Sequence, residues 1–253
     1  MYKAIYISLG GFFMQDKENH CTHCLNKLCM HKVPIFSALN QDDIVKIADL
    51  IQHKDYHKGE NLITVGNKLD AIVIINEGSV KAYKYTPDGR EQILYIFSEG
   101  DFFGEQYLLS NQTATYNVEA LQTVKVCMLS KADFKQLLQQ YPDIAVKIIE
   151  ELGERMSRLE NTMQSMGVRS VDARVGALLI DFAAKYGKVV PEGILIRLPL
   201  SREGIANYLG IARETVSRKL GQMESDGLIT SVSNKVILIP DKKALDMFVG
   251  NME

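Results

Sequence analysis

Residues 198–229 read LPLSREGIANYLGIARETVSRKLGQMESDGLI, two stretches of helical periodicity separated by a glycine. Ser201 is suited to cap the N-terminus of the first stretch. Gly210 can take the left-handed conformation that a tight turn between two helices requires. The apolar positions at helical spacing are Ile205 and Leu209 before the turn and Val216 and Leu220 after it. Because the cap, the turn and the periodicity agree, the segment predicts a helix-turn-helix.

The second helix of this motif carries side chains suited to reading DNA bases. Those at its N-terminal end and on one face are Arg213, Glu214, Ser217 and Arg218. Arginine can donate two hydrogen bonds to guanine, glutamate can accept from the amino groups of cytosine or adenine, and serine can do either. The further candidate DNA contacts are Ser201, Arg202 and Lys219. The alternative interpretation is an ordinary helical hairpin with a solvated charged face.

Basic charge is concentrated around this motif. The chain has 253 residues, with 29 Lys and Arg against 31 Asp and Glu, so its formal charge is −2 and no chain-wide basicity indicates nucleic acid. Over residues 201–221, four basic and two acidic side chains leave a local charge of +2. A DNA-binding surface must therefore be local.

The segments on either side of the motif are typical of a winged helix. A helical pattern over residues 171–184 precedes the turn GKVVPEG at 187–193 and the strand ILIRLPL at 194–200. After the motif, SVSNKVILI at 231–239 predicts two short strands with a turn between them, which would form the wing. We therefore expect a winged helix-turn-helix domain over residues 169–253.

A long helical pattern begins at Pro142 and bears a narrow apolar seam. The seam residues are spaced alternately by four and three positions: Ala145, Ile149, Leu152, Met156, Leu159, Met163 and Met166. This spacing over three heptads is typical of a coiled coil, and no charged residue lies on it. We expect residues 141–168 to form a dimerisation helix. Its contacts with a second copy would be Ile149, Leu152, Met156, Leu159 and Met163. The alternative is a helix that lies on its own domain, which would normally have a wider apolar face.

We expect residues 35–140 to form one domain. Within it, a short helical stretch over 41–51 is followed by a β pattern. The runs rich in Val, Ile, Tyr and Phe are LITV, AIVII, SVKAYKY, EQILYIF, TYNVEAL and VKVCML. Turn signals separate them at roughly 8 to 12 residue intervals, which is typical of a small sandwich or barrel. Pro87-Asp88-Gly89 predicts a hairpin turn, because proline presets φ and glycine accepts a positive φ.

Composition excludes several classes of protein. Apolar residues make up 46% and charged residues 24%, which is ordinary globular usage rather than that of a disordered or collagen-like chain. No window approaches the roughly 18 apolar residues of a transmembrane helix, and the N-terminal stretch lacks a signal-peptide cleavage site. We expect a cytoplasmic chain without membrane contact.

The β segment, the long helix and the winged helix, in this order, resemble the CRP/FNR family of bacterial transcription regulators. The resemblance covers almost all the chain from about residue 30. It implies an α+β fold with an N-terminal double-stranded β-helix, which is a cyclic-nucleotide-binding-like β-roll, a long dimerisation helix and a C-terminal winged helix-turn-helix. It also implies a homodimer on a palindromic site in double-stranded DNA, RNA polymerase as a partner and no enzymatic activity.

The run ANYLGIARETVSRKLG at 206–221 resembles the FNR branch of that family most. The motif E-x-x-S-R is that branch's base-reading motif, and here it is Glu214, Ser217 and Arg218. The resemblance implies FNR-like half-sites of the TTGAT type. Arg213, immediately before the motif, is closer to the cyclic-AMP receptor branch.

GDFFGEQYLL at 100–109 resembles the phosphate-binding cassette of cyclic-nucleotide domains. In those domains an arginine follows the Gly-Glu pair by about ten residues, whereas here no arginine occurs between Arg90 and Arg155. A phosphate buried without a cation would be costly. We therefore expect Gly104 and Glu105 to reflect the geometry of the fold. A small-molecule effector in the β-roll is an alternative input.

Cys21, Cys24 and Cys29 form the pattern C-x2-C-x4-C, and the fourth cysteine, Cys127, lies in VKVCML. Four thiolates suit a 4Fe-4S cluster or an all-cysteine zinc site. The pattern resembles the oxygen-sensing members of the FNR branch, which bind 4Fe-4S through an N-terminal cysteine group and one cysteine of the β domain. Their last spacing is usually one residue longer. The resemblance implies these four cysteines as metal ligands, with residues 1–34 as the cysteine-rich segment.

Other roles for the cysteines remain open. Cys21 and Cys24 suit a disulfide switch, and Cys127 alone suits a small buried hydrophobe. His20, His23 and His31 flank the N-terminal group and are alternative zinc ligands if they are not solvated loop residues. A thiol oxidoreductase would need its C-x-x-C near a βαβ unit, which the sequence does not show. The sequence thus predicts a DNA-binding regulator that responds to oxygen or redox state, with 4Fe-4S favoured over a disulfide, zinc or no metal.

Overall fold

The computed structural model describes residues 33–37, 39–110, 112–168 and 170–250. The first 32 residues, with Cys21, Cys24 and Cys29, lie outside the described residues. Within the described ranges, no helix is both long and apolar enough to cross a membrane.

The first half of the described chain forms two antiparallel sheets flanked by helices. After a 3-10 turn at Pro34–Phe36, the elements are α1 (Gln41–Ala48), β1 (Gln52–Tyr56), β2 (Asn61–Ile63), β3 (Ala71–Glu77), β4 (Ser79–Tyr85), β5 (Glu91–Ser98), β6 (Phe102–Phe103), α2 (Glu105–Ser110), β7 (Asn117–Ala120), β8 (Val124–Ser130) and α3 (Lys131–Gln140). The strand orders are β1-β8-β3-β6 and β2-β7-β4-β5. This confirms the predicted β-roll.

The first sheet of the β-roll is apolar on both faces because each face has a partner layer. On β3, Val73 and Ile75 lie in the cluster between the two sheets. Ile72 and Ile74 point the other way, into a cluster formed with the helices. The same alternation on β8 places Cys127 on the helix side.

The long helix α4 (Pro142–Val168) follows the β-roll, as the sequence predicts. Its inner face is fixed by Ile144 and Ile148, which are buried in the helix-side cluster. Of the seam, Ile149 is 68% exposed, Met156 61% and Leu159 38%. Leu152 differs, because it is partly buried against the helix-side cluster. The side chain of Met163 is outside the described set. The seam therefore faces away from the β-roll along most of the described helix.

The last part of the described chain forms the winged helix. Its elements are α5 (Val171–Tyr186), β9 (Gly187–Val190), β10 (Gly193–Arg197), α6 (Arg202–Leu209), α7 (Arg213–Ser225), β11 (Thr230–Ser233), β12 (Val236–Ile239) and α8 (Lys242–Gly250). The sheet order is β11-β12-β10-β9. The sequence predicts a turn over 187–193, and the structure shows that this stretch is the β9–β10 hairpin. The wing is present as predicted.

The winged helix packs against the outer face of the second β-roll sheet. Tyr83 and Ile93 of that sheet are buried in the apolar cluster of the C-terminal domain. Polar contacts join the same surfaces: Asn207 donates to Glu91 at 3.2 Å. The hydroxyls of Ser98 and Tyr186 lie 2.7 Å apart. The sensor domain and the DNA-binding domain therefore share a mixed apolar and polar interface.

Candidate functional site

The helix-turn-helix is built from the local features that the sequence indicates. The Ser201 hydroxyl accepts a hydrogen bond from the Gly204 amide at 3.1 Å and caps α6. Gly210 ends α6 in the left-handed conformation with φ of 68°. Val216 and Leu220 are buried on the inner side of α7. The second helix is thus held by its apolar side and presents its other side outward.

The outer side of α7 carries the predicted base-reading residues. Arg213, Glu214 and Arg218 are exposed, and Ser217 is half-buried. These positions share the N-terminal part of one helix face, where a helix placed in a major groove meets base edges. The structure therefore brings together the side chains that the sequence places in this role.

The three remaining predicted DNA contacts have other surroundings. Lys219 forms an ion pair with Asp172 of α5, Nζ to Oδ2 2.6 Å, and only 14% of its side chain is exposed. Ser201 is exposed but its hydroxyl serves as the helix cap, and Arg202 is half-buried. Phosphate contact by Lys219 stays a prediction, because it requires the ion pair to open.

The wing adds a basic residue that we do not single out from the sequence. Lys235 lies in the turn between β11 and β12 and is exposed. Its carbonyl accepts a hydrogen bond from the Leu198 amide at 2.8 Å, which fixes the turn beside the strand that leads into α6. The signal for this residue is its position at the tip of a predicted wing, and contact with a phosphate from there stays a prediction.

The C-terminal end of α6 is tied to two other elements. Gln92 of β5 donates its side-chain amide to the Tyr208 carbonyl at 3.3 Å. The guanidinium of Arg174 in α5 donates to the Leu209 carbonyl. These donors satisfy carbonyls that a helix end leaves without an intrahelical partner. The turn of the motif is therefore held by both the β-roll and α5.

Cys127 is the cysteine within the described residues. It is 3% exposed. Its Sγ lies 3.5 Å from Nδ1 of His53, its neighbour across the β1–β8 pair. Its apolar cluster also contains Val33, the first described residue, which lies near the C-terminal end of the cysteine-rich segment. In the described part of the chain, no group of three or more His, Cys, Asp or Glu is placed to hold a metal ion. The described residues thus contribute one thiol, with His53 beside it, and the sequence gives no signal for His53.

The cassette-like segment holds a buried carboxylate and a geometrically required glycine. Gly104 has φ of 102°, and a Cβ there would lie 2.8 Å from the Ala71 carbonyl oxygen. The next residue, Glu105, is 6% exposed. It accepts a hydrogen bond on Oε1 from Nη1 of Arg155 at 3.2 Å. Burial raises the pKa of Glu105, and the opposing effect of Arg155 is smaller. The charge facing this carboxylate comes from the long helix.

Comparison with known proteins matches both halves of the chain. The Cyclic nucleotide-binding domain family matches residues 53–141, and the Crp-like helix-turn-helix domain family matches residues 173–248. The probable transcriptional regulator flp of Lacticaseibacillus casei is 29% identical over 211 residues, which are 83% of this chain and 94% of that protein. The fumarate and nitrate reduction regulatory protein of Yersinia pestis is 26% identical over 97% of this chain and 94% of its own length.

The solved structures agree on the fold. A mutant of CooA from Carboxydothermus hydrogenoformans superposes with a TM-score of 0.71 at 21% identity, covering 85% of this chain and 94% of that one. The relatives are transcription regulators and not enzymes, as the sequence predicts. Helix-turn-helix regulators of this type bind DNA and function as dimers. A β-roll and a Crp-like helix-turn-helix joined by a long helix with an exposed apolar seam make this chain a DNA-binding transcription regulator of the CRP/FNR family.

Proposed function

We propose that this regulator reads FNR-like half-sites in a palindrome and responds to oxygen or redox state through a 4Fe-4S cluster. The observation that carries the first part is the exposed face of α7 with Glu214 and Arg218. Arg218 would donate to a guanine, Glu214 would accept from a base amino group, and Ser217 would add a donor or acceptor. Two copies joined along the seam would place two such helices about 34 Å apart, one turn of DNA.

The sensor half of the proposal rests on the surroundings of Cys127. An iron-sulfur cluster needs thiolates, and Cys127 is buried on the helix-side face of β8, in the same hydrophobic cluster as Val33. Cys29 precedes Val33 by four positions, a length of chain that spans at most about 14 Å. The short stretch of chain between Cys29 and Val33 thus allows Cys29 to approach the hydrophobic cluster that contains Cys127. The ligands would be Cys21, Cys24, Cys29 and Cys127.

The cluster would supply a redox-active, oxygen-sensitive centre when bound. Cys127 lies on a strand of the β-roll, whereas the other three thiols belong to the N-terminal segment, outside the described residues. Ligation would therefore tie that segment to the sensor domain. Cys127 neighbours the inner face of α4 through the cluster that contains Ile144 and Ile148. A change at Cys127 would therefore act on a hydrophobic cluster that also packs the dimerisation helix.

Iron and sulfide assays with visible absorption after anaerobic reconstitution test the sensor proposal. We expect wild type to bind iron and sulfide and both Cys21→Ser and Cys127→Ala to lose most of the chromophore. Cys127→Ala keeps a small apolar side chain, so its thermal stability checks that the fold survives. A colourless wild type contradicts the cluster. A full cluster in Cys127→Ala removes Cys127 from the ligands.

The same variants separate the cluster from the other thiol switches. If Cys21 and Cys24 form a disulfide, Cys127→Ala should leave the redox response of DNA binding nearly unchanged. Reductant alone should then change DNA affinity. Zinc would give a colourless protein whose bound metal survives exposure to air, and His53 beside Cys127 is a suitable additional donor for it. For the partners, we propose RNA polymerase on the bound DNA, as the family resemblance implies. We also propose a cytoplasmic location, as the sequence predicts.

A further inference from the structure

Arg155 of the dimerisation helix reaches into the β-roll and makes contacts with three different elements. Nη1 donates to Glu105 of α2 at 3.2 Å, and Nη2 donates to the Phe102 carbonyl of β6 at 2.7 Å. Nε donates to Glu151, one turn earlier on the same helix, at 3.4 Å. Only 13% of the arginine side chain and 8% of the Glu105 side chain are exposed. The guanidinium is therefore nearly removed from solvent.

Aromatic rings complete the site around this guanidinium. Its central carbon lies 4.5 Å from the ring centroid of Phe102 and 5.4 Å from that of Phe97. Phe102 belongs to the helix-side cluster, and Phe97 belongs to the cluster between the sheets. Arg155 thus contacts both apolar cores of the sensor domain, with cation–π contacts that gain strength when the cation is desolvated.

The partner of Arg155 lies in the cassette-like segment. Glu105 follows Gly104 in the stretch that resembles a phosphate-binding cassette, where such domains supply an arginine from the same segment. Here the arginine that faces Glu105 comes from α4 instead, 50 residues later in the chain. In this chain, the cassette-like segment and the long helix are therefore connected directly by a side chain of the protein itself.

Because the side chains of Arg155 and Glu105 are both mostly buried, each charge needs the other for compensation. A desolvated ion pair is tolerated only while both partners are present, and removal of one leaves an uncompensated charge. Oε2 of Glu105 is buried and has no hydrogen-bond partner among the described residues, so the carboxylate relies on Arg155 for its charge balance. The position of α4 against the β-roll therefore depends on the ion pair between Arg155 and Glu105.

We propose that Arg155 is a positioning residue that takes the place of a bound effector. Held by Glu105, it fixes the dimerisation helix on the β-roll and maintains the DNA-binding arrangement of the dimer without a small molecule. This role is separate from the metal-based input proposed above, because none of its contacts involves a cysteine.

Chemical rescue of the full-length protein tests this role. Arg155→Ala should lower affinity for a specific duplex about tenfold or more, and guanidinium chloride at about 10 mM should recover several-fold of that loss. Ammonium chloride at the same ionic strength should not, which controls for salt effects on DNA binding. Arg158→Ala is the matched control, because Arg158 lies one turn further on α4, contacts Glu151 and is 64% exposed. Equal behaviour of Arg155→Ala and Arg158→Ala overturns the proposal.

A second variant separates positioning from stability if Arg155→Ala folds poorly. The double variant Glu105→Gln, Arg155→Met keeps similar side-chain volumes and leaves no unpaired charge. The proposal predicts near-wild-type thermal stability with DNA affinity still reduced about tenfold. Wild-type DNA affinity in this variant would show that the pair only fills space, and it would overturn the proposal. Cyclic AMP or cyclic GMP should leave wild-type DNA affinity unchanged; an increase that requires Arg155 would overturn it too.

Discussion

Lys219 on the recognition helix α7 and Asp172 in the first turn of α5 form an ion pair, with Nζ 2.6 Å from Oδ2. Both side chains are mostly buried, and Oδ1 of Asp172 lacks a hydrogen-bond partner within the described ranges. The pair therefore fixes α7 on α5, the helix that directly follows the dimerisation helix. This contact helps to set the direction in which Glu214 and Arg218 point.

Lys219→Ala should lower the free energy of unfolding by about 1 to 3 kcal/mol, because it leaves the Asp172 carboxylate buried without its cation. Urea unfolding measures this loss. The double variant Asp172→Asn, Lys219→Met should recover most of it. If Lys219→Ala is as stable as wild type but binds all duplexes more weakly, the lysine acts on phosphate and not on the fold.

Arg218→Ala should cost about 1 to 3 kcal/mol on the specific duplex and relax the preference at one base pair. Lys235→Ala is the comparison, because an exposed wing lysine that meets a phosphate should weaken specific and random duplexes alike. Fluorescence anisotropy on both duplexes at one fixed salt concentration distinguishes the two effects. Equal losses for Arg218→Ala on both duplexes would remove it from base reading.

Leu159→Asp should dissociate the dimer, because two copies would place like charges across the seam. The dissociation constant should rise at least about a hundredfold, and DNA binding should weaken with it. Val146→Asp is the matched control, since Val146 lies on the same helix off the seam and is 51% exposed. Sedimentation equilibrium gives the answer. A dimer that tolerates Leu159→Asp as well as Val146→Asp would place the interface elsewhere.

Glu105 should make stability depend on pH. Burial raises its pKa in the folded protein, so the folded state keeps a proton that the unfolded chain releases. Its contribution to stability is full below the unfolded pKa and is lost as pH rises through the folded pKa. The ionisable groups that act on it include Arg155 and Glu151 on α4 and Tyr95 on β5.

Urea unfolding of wild type and Glu105→Gln from about pH 4 to about pH 8 tests this dependence. Wild type should lose stability relative to the variant as pH rises through the folded pKa. If the free energies of unfolding of the two proteins change in parallel with pH, Arg155 fully offsets the effect of burial on the pKa of Glu105.

The helix-turn-helix can be predicted from sequence because its signals are local. The Ser201 cap, the glycine turn and the apolar spacing lie within one short segment. α3 also has a local signal: the Ser130 hydroxyl accepts a hydrogen bond from the Asp133 amide at 3.2 Å, a capping pattern visible in the sequence as S-x-x-D. β1 has none, because only Tyr56 of its five residues is buried.

The sensor contacts depend on tertiary structure and leave no trace in the sequence pattern. Arg155 lies between seam positions of a helix and is indistinguishable there from a solvated arginine such as Arg158. Its partner Glu105 is 50 residues away, and only the fold brings them together. His53 meets Cys127 for the same reason, through the pairing of β1 with β8.

The proposed response of DNA binding to oxygen is tested by DNA affinity measured before and after exposure to air. Anaerobically reconstituted protein is titrated onto a palindromic duplex with FNR-like half-sites, and the titration is repeated after air exposure and on a scrambled duplex. We expect air to change affinity for the palindrome at least about tenfold, with little change on the scrambled duplex. Identical isotherms for the palindrome before and after air, with the cluster destroyed, would contradict this expectation.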